Sequence, residues 1–309
     1  MVNAIFDDEN PYTRDIWNYP DTGEWDADRN TNEFVAMLPE YREHGLAAIT
    51  VNLQGGAPSG YYRLNQFREF MHQKGISGSD SEIWKGLPSP ESQPWDSSGF
   101  TPDGSLKIEY THRLNRILEK TNQLSMVVIL GLFYFGQDER LQDEKAIKSA
   151  VRNACEWVLS NGYENVVIEI NNECSVPKYE HEILQPHRVH ELIKLAKSVS
   201  INSRSLLAGT SYGGNTIPGN NVTKSSDFIL MHGNGVTEPS RISEMIKETR
   251  ELSDWVDMPI LFNEDDHFEF DKEKNNFNCA INSYAGWGYF DPGAGAGGNA
   301  AFGLSLIHI

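Results

Sequence analysis

Residues 165–173 read NVVIEINNE and residues 259–264 read PILFNE. Each is a short apolar run that closes on Asn-Glu. A run of this length, bounded by polar residues, fits a strand of a parallel sheet that is buried on both faces. The apolar body supplies packing, so the polar tip must face a cleft. Working outward, similar runs recur at Met1–Phe6, Leu46–Leu53, Met126–Phe135, Val166–Asn171, Ser205–Thr210, Phe228–His232, Pro259–Asn263 and Tyr284–Phe290. Stretches of helical period lie between them. Glu33–Glu43 carries Phe34, Leu38 and Tyr41 on one face, and Glu144–Leu159 carries Ile147, Ala150, Val151, Ala154 and Val158. Arg188–Ser198 follows Pro186 and Arg241–Leu252 follows Pro239, and proline suits an opening turn.

Eight strands alternating with helices predict an α/β fold, a (β/α)8 TIM barrel with its functional groups at the carboxyl ends of the strands. An open doubly wound sheet fits less well. No GxGxxG follows the first run, and GAGAGG at 293–298 follows the last run with no helix after it. The 309 residues suit one barrel of about 250 residues with a generous insertion.

The expected domain is 1–303, with the insertion at about 55–107, after the second predicted strand and so on the catalytic face. It carries Tyr61, Tyr62, Trp84, Trp95 and a short helix near Leu64–Met71. Loops this long form lids or binding walls, or the aromatics make a small core of their own. Residues 304–309, LSLIHI, match the translation of a sequencing adapter, CTGTCTCTTATACACATC, and are expected to be a non-native tail. The helix after the eighth strand is then expected to be truncated. The opening MVNAIFDD has no basic segment ahead of its apolar run, so it does not read as a signal peptide. Either the protein is intracellular or its start lies upstream, and the compartment stays open.

With 26 basic and 44 acidic residues the formal charge is −18, a field that repels phosphate backbones and anionic membrane surfaces. Neither nucleic acid nor a membrane is an expected partner, and no apolar run reaches the roughly 20 residues of a spanning helix. Cys155, Cys174 and Cys279 have no paired or CxxC spacing and read as free thiols rather than a disulfide framework or a zinc site.

The Asn-Glu pairs at 172–173 and 263–264 close the fourth and seventh predicted strands, which face each other across the mouth of an eight-stranded barrel. A third pair, Asn32-Glu33, opens a helix, where an acid favours the dipole. Two carboxyl groups across a cleft can hydrolyse a glycoside: one protonates the leaving oxygen, and the other attacks the anomeric carbon or activates water. Their surroundings must separate their pKa values. For retention of configuration the carboxyl groups should stand about 5 to 5.5 Å apart.

On these residues the chain resembles the clan A glycoside hydrolases, the retaining (β/α)8 group that includes the cellulase-like family 5. The resemblance implies that Glu173 is the acid/base, Glu264 the nucleophile, and Asn172 the partner of the sugar 2-hydroxyl. It implies a glycone-site role for His232 in FILMHGNG, and a place under the sugar for Trp287 in YAGWGYF. No cofactor is required, and the substrate is a β-linked poly- or oligosaccharide.

Four residues depart from the clan's pattern. Cys174 stands where proline often follows the glutamate, and Asn234 stands where a tyrosine often bonds the nucleophile. Asn52 and Gln54 occupy the tip of AAITVNLQGG, where an arginine is common. Tyr134, in VVILGLFYFGQDER, either reaches the cleft or packs. Glu169 shares the strand parity of Glu173 and should point inward as a polar anchor lower down.

The cluster NEDDHFEFD at 263–271 offers a second chemistry, a metal-dependent barrel hydrolase, against a solvated acidic loop. A carbohydrate-binding barrel without catalysis is a third reading.

Overall fold

The computed structural model describes residues 3–11, 13–56, 95–267 and 269–290. One sheet holds β1 (Ala48–Asn52), β2 (Val127–Phe133), β3 (Val166–Asn171) and β4 (Ala208–Gly209), in that order. A second holds β5 (Ile229–His232), β6 (Ile260–Glu264) and β7 (Gly286–Trp287). Every neighbouring pair is parallel. Within each sheet the carboxyl ends of the strands therefore lie along one edge.

Around the sheets run α1 (Ala27–Glu43), α2 (Ile108–Gln123), α3 (Glu144–Ser160), α4 (His190–Ser198), α5 (Asn220–Ser225), α6 (Ser240–Arg250) and α7 (Asn276–Asn282). α3 shows why the sequence folds locally in this way. Asp143 caps it by accepting the Ala146 N–H at 2.8 Å, and Ile147, Ala150, Val151, Ala154 and Val158 form a wholly buried stripe. That stripe joins Val128, Leu130, Leu132, Ile168 and Ile170 in the main core. The alternate residues of the strands point the other way. Ile129 of β2 and Leu230 of β5 join Phe228 in a separate inner cluster, with Val167 of β3 and Leu261 of β6 packed against it. Both sheets thus face one interior. The Asp227 N–H donates to the Ala208 carbonyl at 3.0 Å, which ties the approach to β5 onto β4.

Several expectations are corrected. The first run, Met1–Phe6, is no strand over its described part: Ala4 and Ile5 lie in a turn closed by the Phe6 N–H to the Asn3 carbonyl at 3.2 Å. Apolar character buried it, but its carbonyls are met by side chains. Thr31 donates to Ala4, Asn30 to Asn3, and Arg113 to Ile5. Among the described residues there are seven strands, and the Asn172-Glu173 and Asn263-Glu264 strands become the third and sixth. The run 205–210 shrinks to two strand residues, as does 284–290, where Tyr284 is an exposed turn residue. α1 begins at Ala27, capped by Asp26, so Asn32 and Glu33 lie inside the helix instead of opening it.

Of the insertion, residues 95–107 fold back on the sheet edge through a bridge from Gln54 to Ser98 and close on themselves through one from Phe100 to Leu106. Trp95 packs edge-on against Trp17 with centroids 5.9 Å apart, within a small aromatic core that includes Phe6. Tyr61, Tyr62, Trp84, the helix near 64–71, residues 304–309 and any helix after β7 lie outside the described residues. Among the described residues no helix is long and apolar enough to cross a membrane.

Candidate active site

β3 carries the chain to Asn171 and Asn172, after which Glu173 turns into the left-handed region at φ 50°. A non-glycine residue costs free energy there, on the order of 1–3 kcal/mol, and such residues gather where a side chain must be aimed. Two hydrogen bonds fix the turn: the Glu173 N–H donates to Ser211 Oγ at 2.8 Å, and the Cys174 N–H to the Ser211 carbonyl at 2.9 Å. Ser211, just beyond β4, holds the backbone under the acid. The sequence reading missed it.

The partner carboxylate comes from β6 through a register fault. Met231 pairs with Phe262, but His232 pairs with Glu264, so Asn263 is an extra residue in the β6 strand. Strand alternation alone would send Glu264 to the same side as Phe262, into the helix-facing core. The bulge turns it inward instead.

His232 joins the two acids. Its Nδ1 lies 2.9 Å from Glu173 Oε1 and 3.9 Å from Glu264 Oε2. One oxygen of each glutamate and a ring nitrogen of His232 all lie within 4.8 Å of one another. Asn234 donates its amide to Glu264 Oε1 at 2.9 Å. Glu264 is buried, and the Glu173 side chain keeps 12% of its surface open.

Burial alone would press the His232 imidazole toward its neutral form. The Glu264 charge, the hydrogen bond to Glu173 and the charges of Glu173 and Glu169 outweigh it and push the pKa up to about 9. At neutral pH His232 is an imidazolium that donates to Glu173. A folded-state pKa above the unfolded value means that this contribution to stability is complete below about pH 6.5 and is lost as pH rises through about 9.

The other predicted residues are placed as follows. Asn172 is buried beside the pair, its N–H donating to the Phe133 carbonyl at 3.0 Å and its own carbonyl accepting from the Tyr179 hydroxyl. Asn52 ends β1 with its amide over Gly131, where a Cβ would meet Asn52 Oδ1 at 2.1 Å. Tyr134 is buried, its ring tilted against Phe135 with centroids 4.3 Å apart and lying over Gly56. Trp287 is half-buried, with Phe270 and Phe277 edge-on against its ring at 5.5 and 5.6 Å, and its Nε1 donates to Asp265 Oδ2 at 2.7 Å. Gln54 is an internal strut, donating to Ser98 and to the Gln137 carbonyl.

In the acidic loop after β6, one ligand atom each of Asp265, Asp266 and His267 lie within 4.8 Å of one another, the spacing of a group that could hold a cation. Asp265, fully buried, accepts from the His267 N–H and from the Asn276 and Trp287 side chains, with His267 Nδ1 2.7 Å away. This locks Asp265 over Gly233, where a Cβ would lie 2.5 Å from the carboxyl carbon. Gly233→Ala is therefore expected to destabilise the fold by about 1–3 kcal/mol, read as a lower urea midpoint at unchanged slope.

No protein-family model and no curated protein sequence matches the chain. Solved structures do. A glycoside hydrolase family 5 enzyme from Prevotella bryantii B14, PbGH5A, superposes with a TM-score of 0.53 at 10% identity, over 94% of this chain and 85% of that one. A beta-glucosidase from Thermotoga maritima gives 0.52 at 9% identity, over 93% and 86%. A third structure, a glycoside hydrolase, gives 0.53 at 12% identity over 89% of this chain, which spans only 62% of that longer one. At these identities the likeness is one of fold: the chain is built on the scaffold of the glycoside hydrolases it superposes on.

Proposed function

We propose that the chain is a retaining glycosidase acting on a β-linked poly- or oligosaccharide, built on a (β/α)8 barrel. The observation that carries the reading is the approach of Glu173 and Glu264, one oxygen of each within 4.8 Å, at the carboxyl ends of parallel strands. That spacing leaves no room for a water between carboxylate and sugar, the arrangement inversion needs, and suits direct attack. A carbohydrate-binding barrel without catalysis has no need of it.

In this mechanism Glu264, held by the Asn234 amide, attacks the anomeric carbon as the glycosidic bond breaks. Glu173 must carry a proton once the sugar is bound; it gives that proton to the departing oxygen, and the carboxylate left behind is stabilised by the imidazolium of His232. Water then enters, loses a proton to Glu173 and displaces Glu264. Asn172, beside the pair, would bond the 2-hydroxyl.

The test is a hydrolysis screen of β-linked plant and algal polysaccharides and aryl glycosides, with the product anomer followed by proton NMR. Xyloglucan belongs in the panel, since its tetradecasaccharide is the ligand in a complex of the Prevotella enzyme of similar fold. A β-product formed first supports the reading. An α-product, or no cleavage of any substrate, would overturn it.

A further inference from the structure

The proposed mechanism needs both carboxylates free, and the same geometry suits a second occupant. One oxygen each of Glu173 and Glu264 and a ring nitrogen of His232 lie within 4.8 Å of one another. The His232 Nδ1 stands 2.9 Å from Glu173 Oε1 and 3.9 Å from Glu264 Oε2. Glu264 is aimed by its neighbour: the Asn234 amide takes Oε1, which leaves Oε2 buried with no hydrogen-bond partner among the described residues. A buried carboxylate oxygen in that state is costly and calls for a donor or a cation. A tetrahedral ion about 2.0–2.2 Å from each ligand sets those ligands about 3.4 Å apart, so shifts of under about 1 Å would bring these three atoms onto it. The cluster Asp265, Asp266 and His267 has similar spacing. Its buried member is already satisfied, because both Asp265 oxygens accept from Asn276 and one of them from Trp287 as well.

We propose that Glu173, His232 and Glu264 form an inhibitory site for a divalent transition cation such as zinc, the inhibition resting on the glycosidase reading. Glu173 Oε1, Glu264 Oε2 and His232 Nδ1 are the ligands. Two carboxylates and a neutral imidazole match the charge of a divalent ion, and the ring proton that His232 gives to the hydrogen bond with Glu173 leaves to solvent as the metal enters. A nitrogen with two oxygens suits zinc or its neighbours, whereas calcium seeks about six to eight oxygens and magnesium a largely hydrated octahedron. The Glu173 side chain keeps 12% of its surface open, which gives the ion a way in. Once bound, the ion ties the nucleophile to the acid, so neither can act on a sugar. His232 Nε2 has no hydrogen-bond partner among the described residues. The contact that usually stiffens a metal-bound imidazole is thus missing, and binding should be weaker than at a structural zinc site.

The experiment is a calorimetric titration of the full chain, stripped with EDTA and dialysed, with zinc chloride alone. One site with a Kd on the order of 1–100 µM is expected. Binding should weaken by about tenfold or more in Glu264→Gln and in His232→Gln. His267→Gln should bind zinc as the wild type does, and millimolar calcium or magnesium should not compete. In hydrolysis, zinc at about ten times its Kd should raise KM about tenfold with kcat unchanged, and EDTA should reverse this. Wild-type affinity in Glu264→Gln, loss of binding in His267→Gln, or a Kd above about 1 mM overturns the site. Should Glu264→Gln and His232→Gln fail to fold, X-ray absorption at the zinc edge of the wild type decides. A shell of nitrogen and oxygen at about 2.0–2.1 Å supports the site, and a sulfur shell at about 2.3 Å, from Cys174 or Cys279, overturns it. Zinc binding needs no substrate, so absent hydrolysis would count against the glycosidase reading alone, whereas hydrolysis at full rate with the site saturated would overturn the inhibition.

Discussion

Glu264→Ala should lose hydrolysis by on the order of 10⁴- to 10⁶-fold, the scale on which removing a nucleophile acts, while the fold persists. The carboxylate accepts one hydrogen bond, from Asn234, and lies beside an imidazolium, so alanine removes no apolar packing of the strand. It leaves a small space beside the anomeric carbon. Azide or formate can enter that space, and with an aryl glycoside of good leaving ability either anion should restore turnover and give a glycosyl product of inverted configuration. Product analysis by NMR reads the outcome. Rescue with retained configuration would show that another group is the nucleophile.

Glu173→Ala should behave differently. The loss should be about 10²- to 10⁴-fold on substrates whose leaving group needs a proton, and small for the first step of substrates whose leaving group needs none. With the base for water also gone, the second step slows and the glycosyl-enzyme accumulates. Stopped-flow release of a nitrophenol should show a burst equal to the enzyme present, and intact-mass spectrometry should show the adduct on Glu264. Wild-type rates in both variants would move attention to Asp265, Asp266 and His267.

Much of this arrangement was legible because strand ends carry a compact signature. The apolar runs before Asn172-Glu173 and Asn263-Glu264 could pack only as buried strands, and parallel strands deliver their tips to one edge. Other features depend on where backbone groups find partners, which residue types do not encode. Met1–Phe6 looked as strand-like as PILFNE, yet in its described part, residues 3–6, Thr31, Asn30 and Arg113 meet the carbonyls and the chain makes a turn. Asn234 entered the sequence reading only as a departure from the pattern, and its hydrogen bond to Glu264 depends on packing that residue types do not encode. Ser211 gave no signal, since its part rests on the left-handed turn at Glu173. The extra residue at Asn263 was invisible for a related reason: alternation is read from sequence by assuming an unbroken register.

That extra residue makes the site depend on backbone pairing as well as on side-chain identity. If Asn263 paired in register with His232 at unchanged chain length, regular alternation would swing Glu264 outward toward the helices. Every chemical group would remain in the polypeptide, yet His232 would lose one of its two neighbouring carboxylates. Deleting Asn263 would not have this effect, because Glu264 would then follow Phe262 directly and alternation would again turn it inward.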